Sequence, residues 1–130
     1  MAFLVHMGTV ELLLPGTWSQ IGISERHDPL LIGDIGLFLY EDSRSAEIGI
    51  TLRRESQERG FATAAAREAI ELVFERTPAL EVRGITDARN IRSIRLLERV
   101  GMRRLESGSA VFRGESCVEY IYGIGRGGRR

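Results

Sequence analysis

Ala46-Glu47-Ile48-Gly49-Ile50-Thr51-Leu52, followed by Gln57-Glu58-Arg59-Gly60-Phe61-Ala62-Thr63, is the stretch that decides how the chain folds. The first part is an apolar, β-branched run with the period of a strand. The second passes through a glycine into an alanine-rich run whose period is that of a helix. Ala62, Ala65, Ala66, Ala69, Ile70 and Val73 share one face, and Arg67, Glu68, Glu71 and Glu75 share the opposite one. Strand, turn and helix therefore arrive together. The first N–H groups of a helix lack internal partners and sit at the positive end of its dipole, so such a turn can hold an anion. Gly60 lets backbone approach a ligand without a Cβ in the way, Ala62 is nearly as small, and Arg59 adds a cation. Glu58 works against an anion and would have to point into solvent. A plain strand-to-helix turn could carry the same residues.

Working outward, Pro15-Gly16 stops whatever precedes it, so residues 10–14 read as the end of a helix. Residues 19–24 read as a strand, 26–29 as a hairpin turn, and 30–40 as a longer strand in which Gly33 and Gly36 mark a bulge. Residues 41–45 form a polar turn into the strand at 46–52, which makes an antiparallel meander. The helix at 62–76 ends at Thr77-Pro78. A strand follows at 80–86, then a second helix at 90–100 with Ile91, Ile94, Leu97 and Val100 inward and Gly101 as its stop. Strands near 102–112 and 115–124 complete the sheet, and 125–130 reads as a frayed tail.

The chain has 130 residues, enough for one domain with one core. Its 18 basic residues, all arginine, balance 18 acidic ones, so no long-range field favours nucleic acid or a membrane surface. Residues 1–14 lack the pattern of a signal peptide or membrane span. One cysteine, Cys117, allows neither an intrachain disulfide nor a cysteine-based zinc cage, and its neighbours suggest a strand in which the thiol is a small buried hydrophobe. His6 and His27 form no metal spacing, so no metal site is expected. A cytoplasmic protein with small, soluble partners follows.

Thirty residues beyond the turn, Asp87-Ala88-Arg89-Asn90-Ile91-Arg92-Ser93 opens the second helix. Asn90 suits a helix N-cap, a role that needs no ligand. Taken together, the two stretches resemble the GNAT superfamily of N-acetyltransferases, in particular the branch that includes the ribosomal-protein alanine N-acetyltransferases. The carriers are Glu47-Ile48-Gly49-Ile50 to Leu52, Gln57 to Thr63, and Asn90-x-x-Ser93-x-x-x-Leu97-Glu98-Arg99-Val100-Gly101-Met102, in that family's order and spacing. The resemblance covers roughly residues 17–124.

The resemblance implies an α/β fold: a mixed, mostly antiparallel twisted sheet of about six strands with two main helices. The family's first strand and first helices would be lacking, with residues 1–16 as the remnant of a helical region. It also implies acetyl-coenzyme A as co-substrate, lying between the strands at 47–53 and 80–86. Main-chain groups of Ile50, Leu52 and Arg53 would pair with the pantetheine amides, and backbone amides of Gln57, Glu58, Arg59, Gly60, Phe61, Ala62 and Thr63 would hold the diphosphate. Asn90 would hydrogen-bond the pantetheine arm or the backbone beside it, and Ser93 would face the thioester sulfur.

The implied reaction is direct attack of a primary amine, of a peptide N-terminus or small molecule, on the thioester in a ternary complex. Free alkylamines have pKa values near 10, so a proton must be removed first. Glu47 is the candidate base, or else a solvent-facing strand residue. Many family members carry a tyrosine acid where this chain has Leu97; here Ser93 is the substitute, or else merely a first-turn helix residue. The short N-terminus leaves the strand near Trp18 as an open sheet edge, which predicts a homodimer or a start that lies further upstream. The alternative is an acyl-coenzyme A-binding module with little or no catalysis. A nucleotide-binding domain of another kind fits less well, because the chain has neither Gly-x-Gly-x-x-Gly nor a Walker lysine. Arg92, Arg95 and Arg99 lie along one side of the second helix and read as a solvated face paired with Glu98, or as a site for acidic groups.

Overall fold

The computed structural model describes residues 2–6, 13–25, 31–52, 60–112 and 114–128. The strands are β1 (Ala2–His6), β2 (Thr17–Glu25), β3 (Leu31–Leu39), β4 (Ser45–Leu52), β5 (Glu81–Asp87), β6 (Arg103–Phe112) and β7 (Glu115–Gly125), and the helices are α1 (Phe61–Arg76) and α2 (Ile91–Arg99). One sheet holds all seven strands in the order β1-β2-β3-β4-β5-β7-β6. Every pairing is antiparallel except β4 with β5. That parallel pairing lasts only three rungs, Ser45↔Glu81, Ala46↔Val82 and Glu47↔Arg83, after which the two strands separate.

Strand alternation sets the core. Ile35, Leu37 and Leu39 of β3, Ala46 and Ile48 of β4, Val82 of β5, and Tyr122 and Ile124 of β7 are buried with Ala65, Ala66, Ala69, Ile70 and Val73 of α1. The small side chains of α1 let its axis lie close to the strands, and Phe61 and Phe74 fill the space at its two ends. Leu97 and Val100 bring α2 onto the same face. Ile91, expected inward, is 54% exposed, because it opens the helix beyond the strands that cover Leu97. Both helices thus occupy one face of the sheet. On the other face Trp18, Ile85 and Leu105 are exposed.

Gly84 seats α2. A Cβ there would stand 2.6 Å from Leu97 Cδ2 and 3.3 Å from Leu97 Cδ1. Gly84→Val is expected to destabilise the fold by about 1–3 kcal/mol, the usual cost of overpacking. Leu97→Ala in the same chain should return part of that loss. Urea denaturation of the two single variants and the double variant measures the coupling; strictly additive effects would mean that Gly84 is not α2's seat.

Several expectations change. Residues 2–6 form a strand, so the sheet has a strand ahead of β2; the run Phe3-Leu4-Val5 suits a strand, and the edge of β2 supplies its hydrogen-bond partners. β1 covers Ile21 to Glu25 of that edge, so the outermost strand on this side of the sheet is β1 and not the strand near Trp18. Leu13 has φ of 63°, outside the right-handed helical region; residues 10–12 and the turn expected at 26–29 lie outside the described residues. The β2/β3 register shifts at Ile23/Ser24, beside Gly33, whereas Gly36 sits in regular pairing. The expected tail at 125–130 is tied down as far as Arg126. Its guanidinium donates to the carbonyls of Phe74, Thr77 and Ala79 at 2.7, 2.8 and 2.7 Å, placing a cation at the negative end of α1. No helix among the described residues is long and apolar enough to cross a membrane.

Candidate active site

The separation of β4 from β5 opens a cleft roofed by α2. Its inner part, about 550 Å³, lies between Ile48, Gly49 and Ile50 on one side and Gly84, Ile85 and Thr86 on the other. Its outer part, about 580 Å³, reaches the start of α1 at Gly60, Ala62 and Thr63. Ile50, Asn90, Ser93 and Leu96 line both parts, so the two are continuous. A slender ligand could run from the strand gap to the N-terminus of α1.

That N-terminus has an anion site's features. Gly60 is the N-cap with φ of 80° and ψ of −2°, no side chain caps the helix, and no acidic residue stands in its first turn. The left-handed conformation strains any residue with a Cβ, although among the described residues nothing lies within 4 Å of where a Gly60 Cβ would be. Across the outer cleft, Arg92, Arg95 and Arg99 of α2 line the same space. The stripe expected to be a solvated face paired with Glu98 therefore borders the cleft. Glu98 instead accepts a hydrogen bond from the Tyr122 hydroxyl at 3.2 Å. Arg67 Nη2 donates to the Arg99 carbonyl at 2.9 Å, tying the end of α2 to α1.

Asn90 caps α2, its Oδ1 accepting from the Ser93 backbone N–H at 3.1 Å. The cap reading is the one observed, and it leaves the Asn90 amide group at the junction of the two cleft compartments. Ser93 is half-buried in the first turn of α2 and lines both compartments. Of the other expected ligand residues, Ile50, Gly60, Ala62 and Thr63 come together in the outer cleft. Phe61, expected there through its backbone N–H, is the first residue of α1 and has its side chain in the core at 6% exposure. Leu52 ends β4, and Arg53, Gln57, Glu58 and Arg59 lie outside the described residues. Leu97, in the position of the family's tyrosine, is buried against Gly84 and offers no acid.

Glu47 is not among the residues lining the cleft. It sits on the last paired rung of β4 and β5, opposite Arg83, and projects to the face without helices, since Ala46 and Ile48 on either side are buried. Its Oε1 accepts from the Tyr40 hydroxyl at 3.1 Å. Burial, and then the negative charge of Glu47, push the Tyr40 hydroxyl above its ordinary pKa, so Tyr40 stays a donor. Arg83 is engaged by Glu81, its neighbour two residues away.

Asp87 and Cys117, neither of them expected at a site, line the inner cleft. Arg89 donates to the Asp87 carboxylate from its backbone N–H and from Nε and Nη2 at 2.8, 3.0 and 2.8 Å. These bonds lower the Asp87 pKa to about 2. Cys117, expected to be buried, is half-buried, and desolvation followed by the Asp87 charge pushes its thiol upward. A protonated thiol is a weak nucleophile. The Asp-x-Arg spacing was the signal available in the sequence for Asp87. Nothing local marked Cys117, which reaches Asp87 only through the β5–β7 pairing.

The profile described as acetyltransferase (GNAT) domain matches residues 11–103. No curated protein sequence matches the chain. Among solved structures, a GNAT-family acetyltransferase from Bacillus anthracis superposes with a TM-score of 0.76 at 23% identity, over 82% of this chain and 65% of that one. Spermidine N-acetyltransferase from Vibrio cholerae, solved with CoA and spermine, gives 0.77 at 20% identity, over 86% and 68%. A Vibrio cholerae protein provisionally assigned as a ribosomal-protein-serine acetyltransferase gives 0.73 at 22% identity, over 83% and 64%. The chain thus spans about two thirds of the length of these proteins.

Proposed function

Because the chain belongs to the acetyltransferase (GNAT) domain family, we propose that it moves an acetyl group from acetyl-coenzyme A to a primary amine by direct attack in a ternary complex. The amine belongs to a peptide N-terminus or a small molecule, in a cytoplasmic setting that suits a chain whose one cysteine is free. The observation that carries the reading is the cleft itself. Two parallel strands part after three rungs, and the gap runs out to a helix N-terminus faced by three arginines. An elongated ligand that is amide-bearing at one end and polyanionic at the other matches those surfaces.

The unpaired edge of β4 beyond Glu47 offers its main chain to the pantetheine amides, as a sheet edge offers it to an added strand. The N–H groups of the first turn of α1, with Arg95 and Arg99 opposite, hold the phosphates. Asn90 keeps the start of α2 in place, which sets Ser93 at the inner end. Glu47 takes a proton from the ammonium group, directly or through water. The amine nitrogen then bonds to the carbonyl carbon, the C–S bond breaks, and the leaving thiolate takes up the second proton that the nitrogen sheds, giving the amide and free coenzyme A thiol. A thiol pKa near 8.5 means that it needs little help, so Ser93 has only to donate a hydrogen bond. Asp87 is too weak a base for this task with a pKa of about 2.

Calorimetric titration with coenzyme A tests the cofactor half. The wild type should bind, and Gly60→Trp, which puts a bulky side chain at the left-handed N-cap, should lose at least tenfold in affinity. Equal affinity would remove the cradle from the proposal. A second reading, an acyl-coenzyme A-binding module with little catalysis, is favoured by one observation: Glu47 stands outside the cleft that Ser93 lines. Release of free thiol from acetyl-coenzyme A with a panel of amines separates the two.

A further inference from the structure

The inner cleft is closed at one end by the last β4–β5 rung, Glu47↔Arg83, which Gly123 of β7 and Arg103 of β6 continue across the sheet. Its mouth lies toward Asp87 and Glu119, cross-strand partners four residues further along β5. Just inside the closed end, five residues line the cleft and are nonetheless only 2 to 7% exposed: Ile48, Ala66, Leu97, Val100 and Met102. They come from β4, from α1, and from α2 and the turn after it, so the space they border is shut off from solvent on three sides. None of the five has a charge or a side-chain N–H or O–H group. Ser93, Asp87, Cys117 and Glu119, the polar side chains that line the same cleft, stand toward the mouth. Gly84 puts no side chain into the closed end. Leu97 reaches over it, with Cδ2 2.6 Å from where a Gly84 Cβ would stand.

We infer that this closed end is an acyl pocket, and that the acyl group it fits is a short, saturated, uncharged chain longer than acetyl. The inference rests on the acetyl-transfer reading, which sets the thioester sulfur at Ser93. From Ser93 the wall of α2 runs past Leu97 to Val100, about 10 Å at 1.5 Å per residue. An acetyl methyl stands two bonds beyond the sulfur, so it leaves the far part of that wall uncovered. Apolar side chains facing an unfilled space forfeit dispersion contacts, and each methylene that covers them gains apolar burial. A propionyl or butyryl chain extends along Leu97 toward Met102, whose flexible thioether adapts to the length of the chain. A carboxylate or hydroxyl at the end of the chain would be stranded, because the five side chains offer it no hydrogen bond. Ala66 sets the width of the pocket from the α1 side, and Leu97 sets its depth over Gly84. The bonds made and broken are those of acetyl transfer. The ammonium group gives one proton to Glu47, the nitrogen bonds to the acyl carbon, the C–S bond breaks, and the second proton goes to the leaving thiolate.

Calorimetric titration with the acetyl, propionyl, butyryl and succinyl thioesters of coenzyme A reads the pocket directly. Affinity should rise about fourfold with each methylene from acetyl to butyryl, the gain for burying one. The succinyl thioester is as long as the butyryl one but ends in a carboxylate, and should bind at least tenfold more weakly than it. Ala66→Val narrows the pocket and should bring the butyryl-to-acetyl affinity ratio down to about one. Leu97→Ala deepens it and should move the preference from butyryl to hexanoyl. Each ratio is taken within one variant, so a general loss of coenzyme A binding cancels, and Leu97→Ala carries the test if Ala66→Val does not fold. Equal wild-type affinity for the acetyl and butyryl thioesters overturns the inference. So does succinyl binding as tight as butyryl, or a Leu97→Ala variant whose preference stays at butyryl. Thiol release from the same thioesters with a panel of amines keeps the two readings apart. Affinity graded by chain length without thiol release defeats the transfer reading alone, thiol release without such grading defeats the pocket alone, and no binding by any thioester defeats both.

Discussion

Glu47→Gln is expected to lower turnover by about 10²–10⁴-fold, the range for losing a positioned general base, while the KM for acetyl-coenzyme A changes little. Glutamine keeps the size of the side chain, and its carbonyl can still accept from the Tyr40 hydroxyl, so the local fold should persist. What is lost is the capacity to take a proton. The variant should then depend on amine that is already neutral, a small fraction at pH 7 for a group with a pKa near 10. Its rate should rise about tenfold per pH unit until the amine titrates, whereas the wild type should show a shallower rise. Steady-state kinetics across pH 6 to 10 make the comparison. Unchanged turnover in Glu47→Gln would move the base elsewhere, and Asp87 could not replace it with a pKa of about 2.

The double variant Arg95→Glu/Arg99→Glu is expected to weaken coenzyme A binding by about 10²-fold or more. A hydrogen bond to a charged group contributes about 1.5–3 kcal/mol, and about 1.4 kcal/mol is a factor of ten, so the loss of two contacts reaches this range before repulsion is added. Both side chains are exposed, and the contact that ties α2 to α1 uses the Arg99 carbonyl, so the substitutions leave the helix in place. Raising the salt concentration should weaken the wild type and narrow the gap, since exposed charges are screened. Calorimetric titration at two ionic strengths reads both effects. Equal affinity at low salt would mean that the phosphates do not lie beneath α2.

Much of the frame was legible because it depends on neighbours in sequence. The alanine face of α1, the stop at Thr77-Pro78, the stop of α2 at Gly101 and the Asn90 cap all follow from local period and turn chemistry. The two ends of the chain were less legible. Ala2–His6 is too short a run for its period to separate a strand from a helix, and its pairing with β2 decided the matter. Arg126 looked like part of a tail because its three acceptors lie about fifty residues back in the chain.

For the site, the sequence by itself determined which residues could hold a phosphate, cap a helix or take a proton. Only the tertiary structure decided where those groups point. The three-rung limit of the β4–β5 pairing makes the cleft, and the Gly84–Leu97 contact turns the arginine stripe of α2 toward Gly60. Among the described residues both helices lie on one face, which leaves Glu47, Trp18 and Gly49 on the other. Period and propensity are properties of adjacent residues. Strand divergence, helix rotation and the face left uncovered arise from contacts between segments tens of residues apart, and no local pattern encodes them.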